Sequence, residues 1–250
     1  MERYGFSLLD LGANYHEKNL LVSGSTNEII KVPFIGVVVK TKDLIVLFDT
    51  GPNIHGQYPI MKQFSTEQKS NQSLEYQLKL LDLEVSEIDL VIVSHLHFDH
   101  AGGLMKFRDT GIPILIQKKE LDYAFNPDWF YTNVYYRNDF DFNDIYYEPI
   151  DGDYKINSNL EIISLYGHTP GTQGLLYNSK SRRVLFTSDA VYTMENIFPK
   201  LTRQGFDSCT SMWGKSANKV ILKNKLSGYE IYPGHDPEFY SKKKFAPYIY

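Results

Sequence analysis

The stretch SHLHFDHAGG, residues 94–103, places His95, His97, Asp99 and His100 within six positions of a chain that has only seven histidines. It follows directly on the apolar run Leu90-Val91-Ile92-Val93. His95 and His97 share one side if the chain is still extended there, because extended residues alternate faces. Asp99 and His100 follow as the chain turns toward AGG, whose glycines permit tight backbone paths. Imidazole nitrogen and carboxylate oxygen are both good ligands for zinc and related divalent metals. A catalytic zinc usually takes three protein ligands and keeps one position open, so four donors in one stretch exceed the needs of one ion. The crowding predicts two metals.

Further ligands are then expected at other strand ends. His168 follows the apolar run 160–166 in YGHTPG, Asp189 closes the run 182–188 in TSDAVY, and His235 follows 229–233 in YPGHD. Each lies where an apolar run breaks into a loop, the usual place for site residues carried by a rigid sheet. Any one of them alone would read as a surface histidine or a turn residue. The seven together read as a site. His16 and His55 lie in polar surroundings and are expected to be exposed loop residues.

The elements that must carry these side chains show in the patterning. FIGVVVK (34–40) and DLIVLFD (43–49) predict a hairpin of β-branched strands, and IDLVIVS (88–94) and IPILIQ (112–117) two more strands. Leucines 74, 78 and 81 at helical spacing predict a helix over 72–83, and a second is expected from Lys118 to Phe125. Residues 123–147 form an irregular aromatic excursion. Beyond it come strands at 160–166, 174–179, 182–188 and 229–233, and a helix from Ser208 to about Leu226. Strands and helices alternate without repeat, low-complexity tract or linker, which indicates one mixed α/β layered domain over 1–250.

Composition narrows the partners. The chain is 42% hydrophobic and 22% charged with a net charge of −4, ordinary for a globular protein and without the basic surplus of a nucleic-acid binder. No apolar run is long enough to span a bilayer, and residues 1–20 lack a secretory pattern. Cys209 is the sole cysteine, which suits a reducing compartment and predicts a cytoplasmic location. With no histidine nearby in sequence, it reads as a helix-start or packing residue rather than a nucleophile.

The series HLHFDH, GHTPG, SDAVY and GHD, preceded by FDTG at 48–51, resembles the metallo-β-lactamase superfamily, an αββα sandwich. Within it, SHLHFDHAGG, DAVYTMEN and GFDS (205–208) are most similar to the N-acyl-homoserine lactone lactonases. The resemblance implies that His95, His97 and His168 hold one zinc and that Asp99, His100 and His235 hold a second, with Asp189 bridging. Iron, manganese or cobalt would be substitutes. It also implies that Asp49 orients a ligand imidazole, that Tyr192 contacts substrate and that Phe98 walls the pocket. Two such metals, roughly 3.5–4 Å apart, can share a hydroxide at neutral pH. The hydroxide would attack a lactone carbonyl, with Tyr192 donating to the oxyanion and Asp99 passing a proton to the ring alkoxide. The implied partner is a small lactone or ester with an apolar acyl chain, and a homodimer is left open.

The main alternative is a thioester hydrolase resembling glyoxalase II, which would use the same ligands. Against it, the chain has no extended basic C-terminal region for glutathione carboxylates, and Tyr192 favours a lactone. Phosphodiester hydrolysis fits the acidic balance poorly. A β-lactamase would be expected to carry a secretory leader, and a di-iron redox enzyme an acidic residue at position 97 and a flavin domain. A binding protein merely stapled by metal would be expected to have lost one of the seven donors, and none is missing. The excursion 123–147 reads either as a segment packed on the body or on a second subunit, or as a lid over the metals; the two roles are compatible.

Overall fold

The computed structural model describes residues 4–250. The run of β-branched residues predicted to begin the sheet is preceded by a strand that the sequence pattern hides. β1 (Gly5–Glu17) pairs antiparallel with β2 (Ile29–Lys40), and β2 with β3 (Ile45–Phe48), the expected hairpin. β4 (Leu90–Ile92), β5 (Pro113–Gln117) and β6 (Tyr146–Ile150) continue the sheet in parallel, giving the order β1-β2-β3-β4-β5-β6. A second sheet runs β11-β10-β9-β8-β7, from β7 (Tyr154–Lys155), β8 (Leu160–Ser164), β9 (Gln173–Asn178), β10 (Arg183–Phe186) and β11 (Glu230–Tyr232).

Three apolar layers follow from strand alternation. Phe6, Leu8, Val37, Val39, Val46 and Ile92 face the second sheet and pack on Ile162, Leu175, Val184, Phe186 and Tyr232. On the outer face of the first sheet, Val38, Leu47, Val91 and Ile114 meet Leu74 and Leu78 of the helix Leu74–Lys79. On the outer face of the second, Ile163, Leu176, Leu185 and Ile231 meet Trp213, Ala217 and Val220 of the helix Thr210–Ser227. This is the αββα sandwich. Strands buried on both faces are apolar almost throughout, which is why they read as continuous runs.

The expected helix over 72–83 is shorter, Leu74–Lys79, because Asp82 turns the chain through the left-handed region at φ 56°. Cys209 sits immediately before the long helix, at its N-cap.

The loop between β8 and β9 is pinned on that same helix. Gly167 lies at φ 133°, which favours glycine, and a Cβ there would run into the backbone of Trp213. Its carbonyl accepts from the Cys209 amide at 3.0 Å. Gly167→Ala is expected to cost about 2 kcal/mol or more, read as a fall in Tm of roughly 4–8 °C by thermal denaturation.

Candidate metal centre

Strand direction collects the candidate ligands. β3 and β4 run parallel, as do β10 and β11, and β8 shares the direction of β10 because both are antiparallel to β9. Within each sheet their carboxyl ends open on one edge, and the donors that follow those ends in both sheets meet. Asp49 follows β3, His95 and His97 follow β4, His168 follows β8, Asp189 follows β10 and His235 follows β11. Asp99 and His100 lie on the four-residue helix Phe98–Ala101, started by His97.

All seven candidate donors meet in two adjoining groups. One contains His95, His97, His168 and Asp189; the other contains Asp99, His100 and His235. His168 Nε2 lies 3.2 Å from His95 Nε2 and 3.1 Å from His97 Nδ1, and His100 Nε2 lies 3.3 Å from His235 Nε2. Asp189 stands between the groups. Its Oδ2 is 3.2 Å from His168 Nε2 and 3.6 Å from His95 Nε2, while Oδ1 is 2.9 Å from His235 Nε2 and 3.2 Å from His100 Nε2. Asp99 Oδ2 is 3.8 Å from both His100 Nε2 and His235 Nε2.

The opposite ring nitrogens decide which atoms face inward. His235 Nδ1 donates to the Pro33 carbonyl at 2.8 Å and His168 Nδ1 to the Phe206 carbonyl at 3.2 Å. His100 Nδ1 donates to Asp49 Oδ2 at 2.8 Å. Ser94 Oγ donates to the same oxygen at 2.8 Å, so it accepts from His95 Nδ1 at 3.0 Å. Each bracing partner leaves an Nε2 lone pair aimed at the centre, the usual support of a metal-ligating histidine. Burial, helped by neighbouring imidazoles, holds His95 and His97 well below the ordinary histidine range and brings His168 to about 4. Three unprotonated nitrogens converging on a carboxylate oxygen fit a divalent cation such as zinc.

The other group also calls for positive charge. Burial depresses His100, yet Asp189, Asp99 and Asp49 outweigh it and raise the imidazole well above its usual range. Asp189 behaves conversely: burial pushes it up, and His235, His100 and His168 hold it well below the carboxylate range. Protons and cations compete for such a cluster, so metal affinity falls as pH drops.

Asp49 sits at φ 61°, a left-handed conformation uncommon for aspartate, and gathers Ser94, His100 and Ser188 around its carboxylate. A further buried carboxylate went unseen in the sequence. Glu120 accepts from the Leu96 amide, the Tyr135 hydroxyl, the Thr169 hydroxyl and the Gly171 amide at 2.5–3.2 Å. It ties the His95–His97 segment to the loop that carries His168. A lone Glu in a helix gives no sequence signal for that role.

A cavity holding about 640 Å³ of empty space, its open mouth included, lies over the two groups. Asp99, Asp189, Tyr192 and His235 reach it, with Phe98, Phe64, Ile60 and Leu21 as apolar wall. Burial beside Asp189 raises the Tyr192 phenol well above its usual range, so it keeps its proton. The aromatic excursion packs on the body through Tyr131, stacked on Phe206 at 4.6 Å, and through Tyr135, edge-on to His97 at 4.7 Å. It also lends Asn133 and Val134 to the cavity. His16 corrects an expectation: it is a half-buried residue of β1 in the cavity wall, not an exposed loop residue. His55 is exposed as expected.

The metallo-beta-lactamase superfamily profile matches residues 34–235. The chain belongs to the metallo-beta-lactamase superfamily. The N-acyl homoserine lactonase AttM of Azorhizobium caulinodans is 32% identical over 181 residues, 70% of this chain and 68% of the relative. An N-acyl homoserine lactonase of a Bacillus species is 31% identical over 221 residues, 84% of each chain. The fold matches a crystal structure of an N-acyl homoserine lactone hydrolase with the product N-hexanoyl-L-homoserine bound at its catalytic metal center. That structure superposes with a TM-score of 0.87 at 22% identity, covering 100% of both chains. Among the described residues of this superfamily member, no helix is long and apolar enough to cross a membrane.

Removing the brace on His100 tests the arrangement without touching a candidate ligand. Asp49→Ala is expected to weaken metal binding about 10- to 100-fold at one of the two positions, measured by chelator competition.

Proposed function

We propose that this chain is a dinuclear zinc hydrolase that opens the lactone ring of N-acyl homoserine lactones. The observation that carries the reading is a carboxylate, Asp189, divided between two histidine groups beneath a cavity that pairs apolar walls with one protonated phenol. The names of the curated relatives point the same way. Iron, manganese and cobalt suit the same nitrogen and oxygen donors and would be substitutes.

Two zinc ions supply a water that ionises near neutral pH and a Lewis acid for the carbonyl. The remaining roles fall to the chain. His95, His97 and His168 would hold one ion and Asp99, His100 and His235 the other, with Asp189 shared between them. The braced rings of His95, His100, His168 and His235 keep their lone pairs aimed and cost no reorganisation during the reaction. The Tyr192 oxygen lies 3.3 Å from His168 Nδ1, whose proton is directed at the Phe206 carbonyl and can only meet that oxygen as an acceptor. The phenolic hydrogen stays available to the oxyanion that develops on the lactone carbonyl.

Asp99 stands beside the cavity within 3.8 Å of both His100 Nε2 and His235 Nε2, where it would relay a proton to the departing ring oxygen. Phe98, buried edge-on to Phe34 at 6.3 Å, gives the cavity a fixed wall. Both sheets contribute ligands, so the activity is assigned to the whole chain as one domain.

The thioesterase alternative is separated by a panel of acyl-homoserine lactones and a glutathione thioester, followed by product analysis. The lactonase reading predicts kcat/KM at least tenfold higher on the lactones; the reverse order would replace it. Asp189→Asn is expected to lower metal content below two equivalents and abolish turnover. Tyr192→Phe is expected to keep both metals and slow lactone opening about 10- to 100-fold, with the loss in kcat rather than KM.

A further inference from the structure

β1 places two neutral polar side chains among the apolar residues of the cavity wall. Asn14 pairs with Val32 and His16 with Ile30, and residues two apart share a face, so Asn14, His16 and Val32 all present to the cavity. Around them the wall is Leu20, Leu21, Ile60 and Phe64, the last packed on the His16 ring at 5.2 Å.

Each polar group is half-satisfied. Asn14 is buried, and its Oδ1 accepts from the Thr66 hydroxyl at 2.6 Å. Its Nδ2 has no hydrogen-bond partner among the described residues. His16 Nδ1 donates to the Glu17 carbonyl at 3.2 Å, which leaves Nε2 as a bare acceptor, again without a partner among the described residues. Burial brings the His16 pKa down to about 4, so the ring is neutral at working pH. A donor and an acceptor facing an apolar cavity each cost free energy if a bound ligand covers them without answering them.

Their position says which part of a ligand they meet. Pro33, whose carbonyl braces His235, pairs with Ala13, one residue before Asn14. His16 lies about 7 Å further along the strand, away from that ligand. A lactone with its ring carbonyl at the metal groups would therefore lay the first carbons of its acyl chain along Asn14 and His16.

We infer that Asn14 and His16 form a polar rung that selects acyl chains bearing an oxygen substituent close to the amide. This rests on the lactonase reading. Asn14 Nδ2 donates to a carbonyl or hydroxyl oxygen on the chain, and His16 Nε2 accepts from a hydroxyl. A β-hydroxyacyl chain answers both groups, a β-oxoacyl chain answers only Asn14, and an unsubstituted chain answers neither. The amide is common to all three substrates and cancels in their ratios.

The test is kcat/KM of the metal-loaded enzyme on N-octanoyl-, N-(β-oxooctanoyl)- and N-(β-hydroxyoctanoyl)-homoserine lactone. The β-hydroxy substrate is expected to exceed the unsubstituted one by about three- to tenfold, with the β-oxo substrate between them. His16→Leu should remove the extra advantage of the hydroxyl and leave that of the oxo group. Asn14→Leu should remove the oxo advantage. His16→Leu leaves the Asn14–Thr66 bond in place and carries the test alone if Asn14→Leu does not fold. Lactone turnover with no preference, or with a preference that both variants retain, overturns the rung and spares the lactonase reading. Absence of turnover on all three lactones by wild-type protein holding two metals overturns both.

Discussion

The arrangement depends on one carboxylate held between two clusters of imidazole. Asp189 sends Oδ2 toward His95 and His168 and Oδ1 toward His100 and His235, all of them buried. Placing that much nitrogen and oxygen out of water is unfavourable unless charge is compensated and every far side of a ring is bonded. The surrounding architecture meets both conditions for four of the five rings; the buried Nε2 of His97 has no hydrogen-bond partner among the described residues. Asp49, Ser94 and the carbonyls of Pro33 and Phe206 fix the rings from behind, and Glu120 fixes the two loops that carry them.

Those supports explain why the sandwich has its particular strand directions. Strands running the same way within each sheet deliver their carboxyl ends to one edge, where chain that has left the ladder can turn inward with polar side chains. Rigid apolar layers beneath them, such as Phe6, Val39 and Val46 against Ile162, Val184 and Phe186, hold the two halves of the cluster in register. The aromatic excursion then closes one side of the cavity, through Tyr131 on Phe206 and Tyr135 on His97, while Trp129 remains 84% exposed.

The sequence made the donors of the cluster legible because histidines are few, chemically distinct and set with the aspartates at the ends of apolar runs. The buried strands were legible for the same reason: they are apolar on both faces and bounded by turns. β1 was not. Its pairing shifts register between Asp10 and Ala13, and its polar residues Asn14, Tyr15 and His16 erase the alternation that marks a strand. His16 therefore looked like a loop residue. Glu120 was invisible because nothing about an isolated glutamate near a helix start tells that four donors from distant segments converge on it. Boundaries moved where single residues took unusual backbone angles, as Asp82 did in ending the helix Leu74–Lys79.

The most direct measurement is anomalous diffraction at the zinc edge from crystals of metal-loaded protein. The account predicts two peaks of comparable height: one bonded to His95, His97 and His168, the other to Asp99, His100 and His235, with one Asp189 oxygen on each. A single peak, or an Asp189 carboxylate bound wholly to one ion, would contradict it.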